Sequence, residues 1–224
     1  LSAGWCSLKV GEDRSCLAVR IWIDRDGVPL RHRFTRAMMR SVARLTYEQV
    51  QRAFEGAPDE ATAPLLEPLI RPLFGAYRAL ARARSERGVL EIDVPERRVV
   101  LDAEGRVLRV EVRARYDSHR LIEDFMISAN VAAAETLERM RQPSMYRVHD
   151  EPTQEKLDAL REFLDSIGLK FVRGQVLRPA HFNIILEKAR ATANTQIVNE
   201  VVLRSQAQAE YAPENIGHFG LALV

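Results

Sequence analysis

Two cysteines in 224 residues, Cys6 and Cys16, stand in no CxxC or Cys/His grouping. That excludes a disulfide-stapled scaffold and a thiolate zinc site, and leaves an expectation of reduced, largely buried thiols. Long apolar runs are also missing, and none approaches the roughly 18–20 residues of a membrane span. No basic segment followed by an apolar one marks a secretory leader. These absences give an expectation of a cytoplasmic protein with no membrane association. Lysine is scarce: 4 of the 33 basic residues are Lys and 29 are Arg. No GxGxxG, P-loop, HExxH or GxSxG occurs, so the best-known nucleotide, zinc-protease and serine-hydrolase signatures are ruled out. No histidine has a second one three or four residues on, and His32, His149, His181 and His218 read as structural.

What is present is the balance of a globular protein. The chain is 46% hydrophobic and 29% charged, with a formal net charge of +2. A chain of this length can bury a substantial core without covalent staples. The Arg bias has two readings: a GC-rich coding sequence, or a surface whose guanidinium forks bind phosphates and stack on bases. Near-neutral total charge argues against a general polyanion binder but permits one local basic channel.

The pattern of elements is α+β. Residues 16–34 predict a β-hairpin, with β-branched and aromatic "CLAVRIWI", the turn "DRDG" and the returning "VPLRHRF". "DRDG" begins like a calcium loop but lacks the later ligands, so it reads as a turn. Thr46 and Gln49 form a T-x-x-Q capping box for a short helix stopped at Gly56, with Tyr47, Val50 and Phe54 on one face. Pro64, Pro68 and Pro72 should confine the helix near 60–86 to its later part. "GVLEIDV" reads as a strand, and a second hairpin turns at Ala103–Gly105. A long helix spans about 118–141. Three further helices are expected: one from Thr153 with Leu157, Leu160, Leu164 and Ile167 at helical spacing, and others at 179–190 and 195–208. A final strand should follow "YAPENIGHFG". The simplest organisation is one α+β unit. The start at Leu1 and the apolar end "GHFGLALV" suggest a piece of a larger domain.

The long helix holds the most informative polar residues. At 100° per residue, Leu121, Ile122, Phe125, Met126, Ala129, Ala132, Ala133, Leu137 and Met140 fill an apolar arc. Asp124, Ser128, Glu135 and Glu138 fall opposite and should be solvated. Glu123 lies at the arc's margin, with His119 one turn before it and Asn130 about 10 Å further along the axis. This edge could be satisfied internally by Arg or backbone groups, or it could border a ligand cleft. Tyr47 is equally open. Its ring belongs with Val50 and Phe54, while its hydroxyl sits where a helix N-terminus favours phosphate.

Read together, "LSAGWCSLKVGEDRSCLAVRI", "MRSVARLTYEQV", "RSERGVLEIDVPE", "HRLIEDFMISANVAAAETL", "MYRVHDEPTQEKL" and "VLRSQAQAEYAPENIGHFGLAL" resemble the ribonuclease II / ribonuclease R family in order and spacing. They are similar to the central-to-C-terminal part of its RNB catalytic domain, nearest the bacterial R type. The resemblance covers the whole chain, as a partial catalytic domain over residues 1–224. It implies strands and hairpins packed against several helices, and a processive 3′→5′ exoribonuclease that hydrolyses single-stranded RNA to nucleoside monophosphates with Mg2+.

By the same resemblance Tyr47 matches the family tyrosine beside the terminal nucleotides, and Glu123 the acid that holds the 3′-terminal nucleotide. Ile92 falls where several members carry a base-stacking phenylalanine. An aliphatic group packs against a base but lacks a π-face, which implies a weaker clamp. Asn130 is expected on the RNA-facing edge with Glu123. The family's D-P-x-x-A-R-D-x-D-D aspartates and its H-F-T-S-P-I-R-R-Y-like Arg segment have no counterpart, so no metal ligand is assigned here and the chain alone is expected to be inactive. A monomer is the simplest state. A non-catalytic RNA-binding relative and a helical protein-interaction domain stand as alternatives.

Overall fold

The computed structural model describes residues 4–174 and 176–223. In chain order, β1 (Asp13–Ile23) and β2 (Pro29–Arg40) precede α1 (Tyr47–Phe54), α2 (Ala63–Leu65), a wide π-turn (Leu66–Ile70) and α3 (Arg71–Arg87). Next come β3 (Arg97–Leu101), β4 (Val107–Val112), α4 (Asp117–Arg139) and β5 (Tyr146–Val148). The chain continues through α5 (Gln154–Ser166), α6 (Pro179–Arg190), α7 (Thr195–Ser205), β6 (Glu210–Ala212) and a 3-10 turn (Phe219–Leu221). The α+β class expected from the sequence is therefore observed. The strands form three antiparallel pairs, β1–β2, β3–β4 and β5–β6. Within the chain two compact units can be distinguished: one holds the segment up to Ala83 with Arg115–Met140, the other Arg84–Ala114 with the segment from Arg141 onward.

In the first unit, the hairpin turns where Asp24 Oδ1 accepts from the amides of Asp26 and Val28, each at 2.9 Å. Gly27 has φ +85°, and a Cβ there would lie 2.1 Å from the Ala79 carbonyl oxygen on α3. Only glycine lets the turn press so closely on the helix. Arg82 of α3 donates to the Arg25 carbonyl beside it. Both halves of the Thr46/Gln49 capping box form: Gln49 N donates to Thr46 Oγ1 at 3.2 Å, and Thr46 N to Gln49 Oε1 at 2.9 Å. Pro64 and Pro68 act as expected: α2 is only three residues long, and the long regular helix begins at Arg71. Pro68 has no N–H for an i→i−4 bond, and it lies inside the π-turn, where the Arg71 amide reaches back to Leu66. Ala53, Ile70, Phe74, Tyr77 and Leu121 form the core, with Phe54 stacked on Phe74 at 3.8 Å between ring centres.

The second unit is built on α5, α6 and α7, whose Leu157, Leu160, Leu164, Phe182, Ile185, Val198 and Val202 pack together. Two strands expected from the sequence are not formed. "GVLEIDV" has the composition of a strand, but among the described residues it pairs with no strand. Leu90 N donates to the Gly220 carbonyl at 2.9 Å, and side chains hold the backbone on either side: Glu91 N donates to Asn183 Oδ1 and Asp93 N to Asn199 Oδ1, both at 2.9 Å, while Asn183 Nδ2 donates to the Val89 carbonyl at 2.8 Å. The apolar C-terminal segment curls into the 3-10 turn with Ala222 left-handed at φ 49°, and the pairing strand there is the earlier β6. Cys6 is exposed and Cys16 half-buried, against the expectation of buried thiols.

Candidate nucleotide-binding site

Tyr47 opens α1 and keeps 43% of its surface exposed. Its backbone is fastened to the start of α4, because Ser118 Oγ donates to the Tyr47 carbonyl at 2.8 Å and Ser118 N donates to Gln51 Oε1 at 3.0 Å. The Tyr47 ring stacks on the His119 imidazole, with centres 4.1 Å apart and planes 24° from parallel. On its other side His119 faces Tyr116 at 5.6 Å. Its Nδ1 accepts the Tyr116 amide at 3.2 Å, which caps the helix and leaves the ring proton on Nε2.

Glu123 lies one turn beyond His119 on the same face of α4. It is exposed, and Arg115 Nη2 donates to its Oε2 at 2.7 Å. The structure thus brings Tyr47, His119 and Glu123 onto one stripe. Arg115 and Tyr116 complete it, and the sequence reading passed over both because they precede the helix. The spacing Tyr116-x-x-His119, an N-cap followed by a polar N3 side chain, is the signal that could have found them. Asn130 is exposed further along α4. Ile92 belongs to the second unit, half-buried against the Leu157–Leu164 cluster. Beside Tyr47 a cleft of about 150 Å³ runs between Val50, Leu73, Leu121 and Ile122.

Asp124 corrects the helical wheel. Expected on the wet face, it is only 5% exposed, whereas Met126, expected inside, is 60% exposed. The buried face contains Ser118, Leu121, Asp124 and Ala132, displaced from the apolar arc by roughly a quarter-turn. Polar contacts orient the helix: Ser118 meets α1, and Thr136 Oγ1 meets His32 Nε2 on β2 at 2.8 Å. Hydrophobic periodicity does not register such contacts.

His149, His181 and His218 engage backbone groups. His181 Nδ1 accepts the Arg178 amide at 3.1 Å at the start of α6. His149 uses both ring nitrogens, Nδ1 accepting from Gly220 N and Nε2 donating to the Ala207 carbonyl, each at 2.9 Å. His218 Nδ1 accepts from Leu221 N at 3.2 Å, and burial followed by the nearby His149 pushes its imidazole below the ordinary histidine range. Among the described residues no three His, Cys, Asp or Glu side chains come together in a way that could hold a metal ion. The donor set for the magnesium implied by the resemblance does not fit these residues. No described helix is long and apolar enough to cross a membrane.

The model of the RNB domain family matches residues 1–224. Ribonuclease R of Escherichia coli K12 is 37% identical over all of this chain, which covers 28% of that protein. Ribonuclease R of Aquifex aeolicus is 38% identical, again over all of the chain and 32% of its own length. The solved structure of Mycoplasma genitalium RNase R in complex with ribose methylated single-stranded RNA superposes with a TM-score of 0.91 at 20% identity, covering 98% of this chain and 34% of that one. This chain therefore spans about a third of the length of the proteins it matches.

Proposed function

This chain belongs to the RNB domain family, and from that membership we propose that it forms one wall of the active site of a 3′→5′ exoribonuclease. The observation that carries the reading is the placing of Tyr47 against His119, one helical turn from Glu123, the two residues to which the family resemblance assigns nucleotide binding being Tyr47 and Glu123. An exposed, prealigned aromatic ring offers a stacking surface for a base near the strand's end. A carboxylate accepts hydrogen bonds but gives none, so Glu123 suits ribose hydroxyls and repels a terminal phosphate. Placed at the last nucleotide, it selects a free 3′ end. Arg115 orients Glu123 in the absence of RNA, and its guanidinium fork can turn to a phosphate when RNA arrives. Ile92 and Asn130 are assigned auxiliary contacts to the strand.

Hydrolysis of a phosphodiester needs charge stabilisation that these residues do not provide. In this reading magnesium supplies it, with ligands elsewhere in the longer protein. The substrate is single-stranded RNA, and the protein acts as a cytoplasmic monomer. The relatives' names and the RNA complex of M. genitalium RNase R support the part of this reading that concerns RNA.

The test is a degradation assay on end-labelled single-stranded RNA with added magnesium. The protein containing this chain should release nucleoside monophosphates from the 3′ end, and residues 1–224 alone should release none. Degradation from the 5′ end, or turnover by the isolated chain, would overturn the assignment.

A further inference from the structure

The strands β1 and β2 present two faces. One, carrying Val19, Ile21, His32 and Phe34, is half-buried, and its His32 meets Thr136 and Glu135 of α4. The opposite face carries Arg20, Trp22, Arg31 and Arg33 beside the smaller Ala18 and Thr35. These residues line an open groove of about 850 Å³. Arg31 lies 4.3 Å from the centre of the Trp22 ring and Arg20 lies 5.7 Å from it. The ring holds both guanidinium groups in place.

The charge pattern is costly as it stands. Arg20 is paired directly across the ladder with Arg33, and like charges in that relation repel. Among the described residues neither they nor Arg31 has an ion pair. The two strands hold six arginines (14, 20, 31, 33, 36 and 40) and one acid, Asp13, which Arg40 engages at the far end at 2.6 Å. A cluster of unneutralised, prealigned guanidinium forks around a tryptophan is complementary to a chain of phosphates bearing aromatic bases.

We propose that this hairpin face is a second RNA-binding surface, one that takes the phosphodiester backbone of single-stranded RNA upstream of the end held at Tyr47 and Glu123. The assignment rests on the exoribonuclease reading above. His32 docks the hairpin at Thr136, thirteen residues beyond Glu123 on α4, or about 20 Å along the helix axis. The surface therefore serves nucleotides several steps behind the terminal one. Short oligomers do not reach it.

The experiment uses the longer protein and measures equilibrium binding and degradation of 5-nucleotide and 25-nucleotide single-stranded RNAs. The double variant Arg20→Ala/Arg33→Ala should bind the long RNA about tenfold more weakly, with its log–log salt slope reduced by about 1.4, since each single-strand phosphate contact contributes about 0.7. Binding and turnover of the short RNA should not change. A second variant, Arg33→Glu, places a carboxylate opposite Arg20 and should raise the melting temperature while weakening long-RNA binding further. Unchanged long-RNA affinity and slope would overturn the surface while leaving the exoribonuclease reading intact. Equal losses on both lengths, or a lower melting temperature for Arg33→Glu, would also overturn it. A parent protein that neither binds nor degrades RNA would bring down the functional reading, and the surface with it.

Discussion

The His119 imidazole lies flat against the Tyr47 ring, 4.1 Å between centres, while its Nδ1 accepts the Tyr116 amide at the start of α4. One side chain thus caps one helix and supports the exposed ring on another. Removing it should have two separable effects. His119→Ala loses a cap worth about 1 kcal/mol and an aromatic contact of about 0.5–1.5 kcal/mol. His119→Gln keeps a side chain that can reach back to the N-cap amide, so it should recover the cap but not the stack. Urea titration of both variants measures the split. Equal losses would show that the cap contributes nothing.

Glu123 and Arg115 are both exposed, and exposed ion pairs contribute at most about 1 kcal/mol. Glu123→Ala should therefore leave folding stability within about 1 kcal/mol of the parent. In the longer protein it should slow degradation of RNA bearing a 3′-hydroxyl by at least about tenfold, the loss expected for a charged hydrogen bond to substrate. Initial rates on matched 3′-hydroxyl and 3′-phosphate RNAs check the assignment. The variant should lose most of its discrimination between them, and retained discrimination would remove Glu123 from the strand's end.

Asn183 supplies both a donor and an acceptor to the segment around Val89–Glu91. Asn183→Ala leaves those two backbone groups without their partner and should cost about 2 kcal/mol. The effect should also be local. Amide hydrogen exchange at Glu91 should accelerate, while the Asp93 amide, held by Asn199, should change little. Uniform acceleration would point to global destabilisation.

His218 makes stability depend on pH. Burial, aided by His149 and Arg147 and opposed in part by its own backbone hydrogen bond, lowers its folded-state pKa. The unfolded chain, titrating near 6.5, then takes up the proton first as pH falls. The stability is fully present above about pH 6.5 and declines as pH drops through that value toward the lower folded pKa. The urea midpoint should fall between pH 7.5 and 5.5, and by less in His218→Asn. An identical fall in the variant would assign the dependence to other groups.

Features written in neighbouring residues were legible in the sequence. The Thr46/Gln49 box, the Thr153 cap, the bounds of α6 and the Asp24 turn depend on local chemistry. The strand expected at "GVLEIDV" was not, because a strand needs a partner and its amides instead meet asparagines about 100 residues away. The buried face of α4 was hidden for a related reason: Ser118 and Thr136 set it through contacts with α1 and β2. Tyr47 and Glu123 entered the proposed site through the family resemblance. The His119 stack was not legible, since it depends on how α1 and α4 meet, and the Arg115 partner was not, since Arg115 precedes the helix that carries Glu123.

The hairpin β1–β2 is fastened at its tip, where Gly27 presses on Ala79 and Arg25 receives Arg82, and again through His32, in the third ladder pair from the turn. Mechanically it is a beam supported at two points, not a cantilever. A sideways pull on its outer face is carried into α3 and α4 without a hinge at the turn, so the face can bear tension and keep its shape.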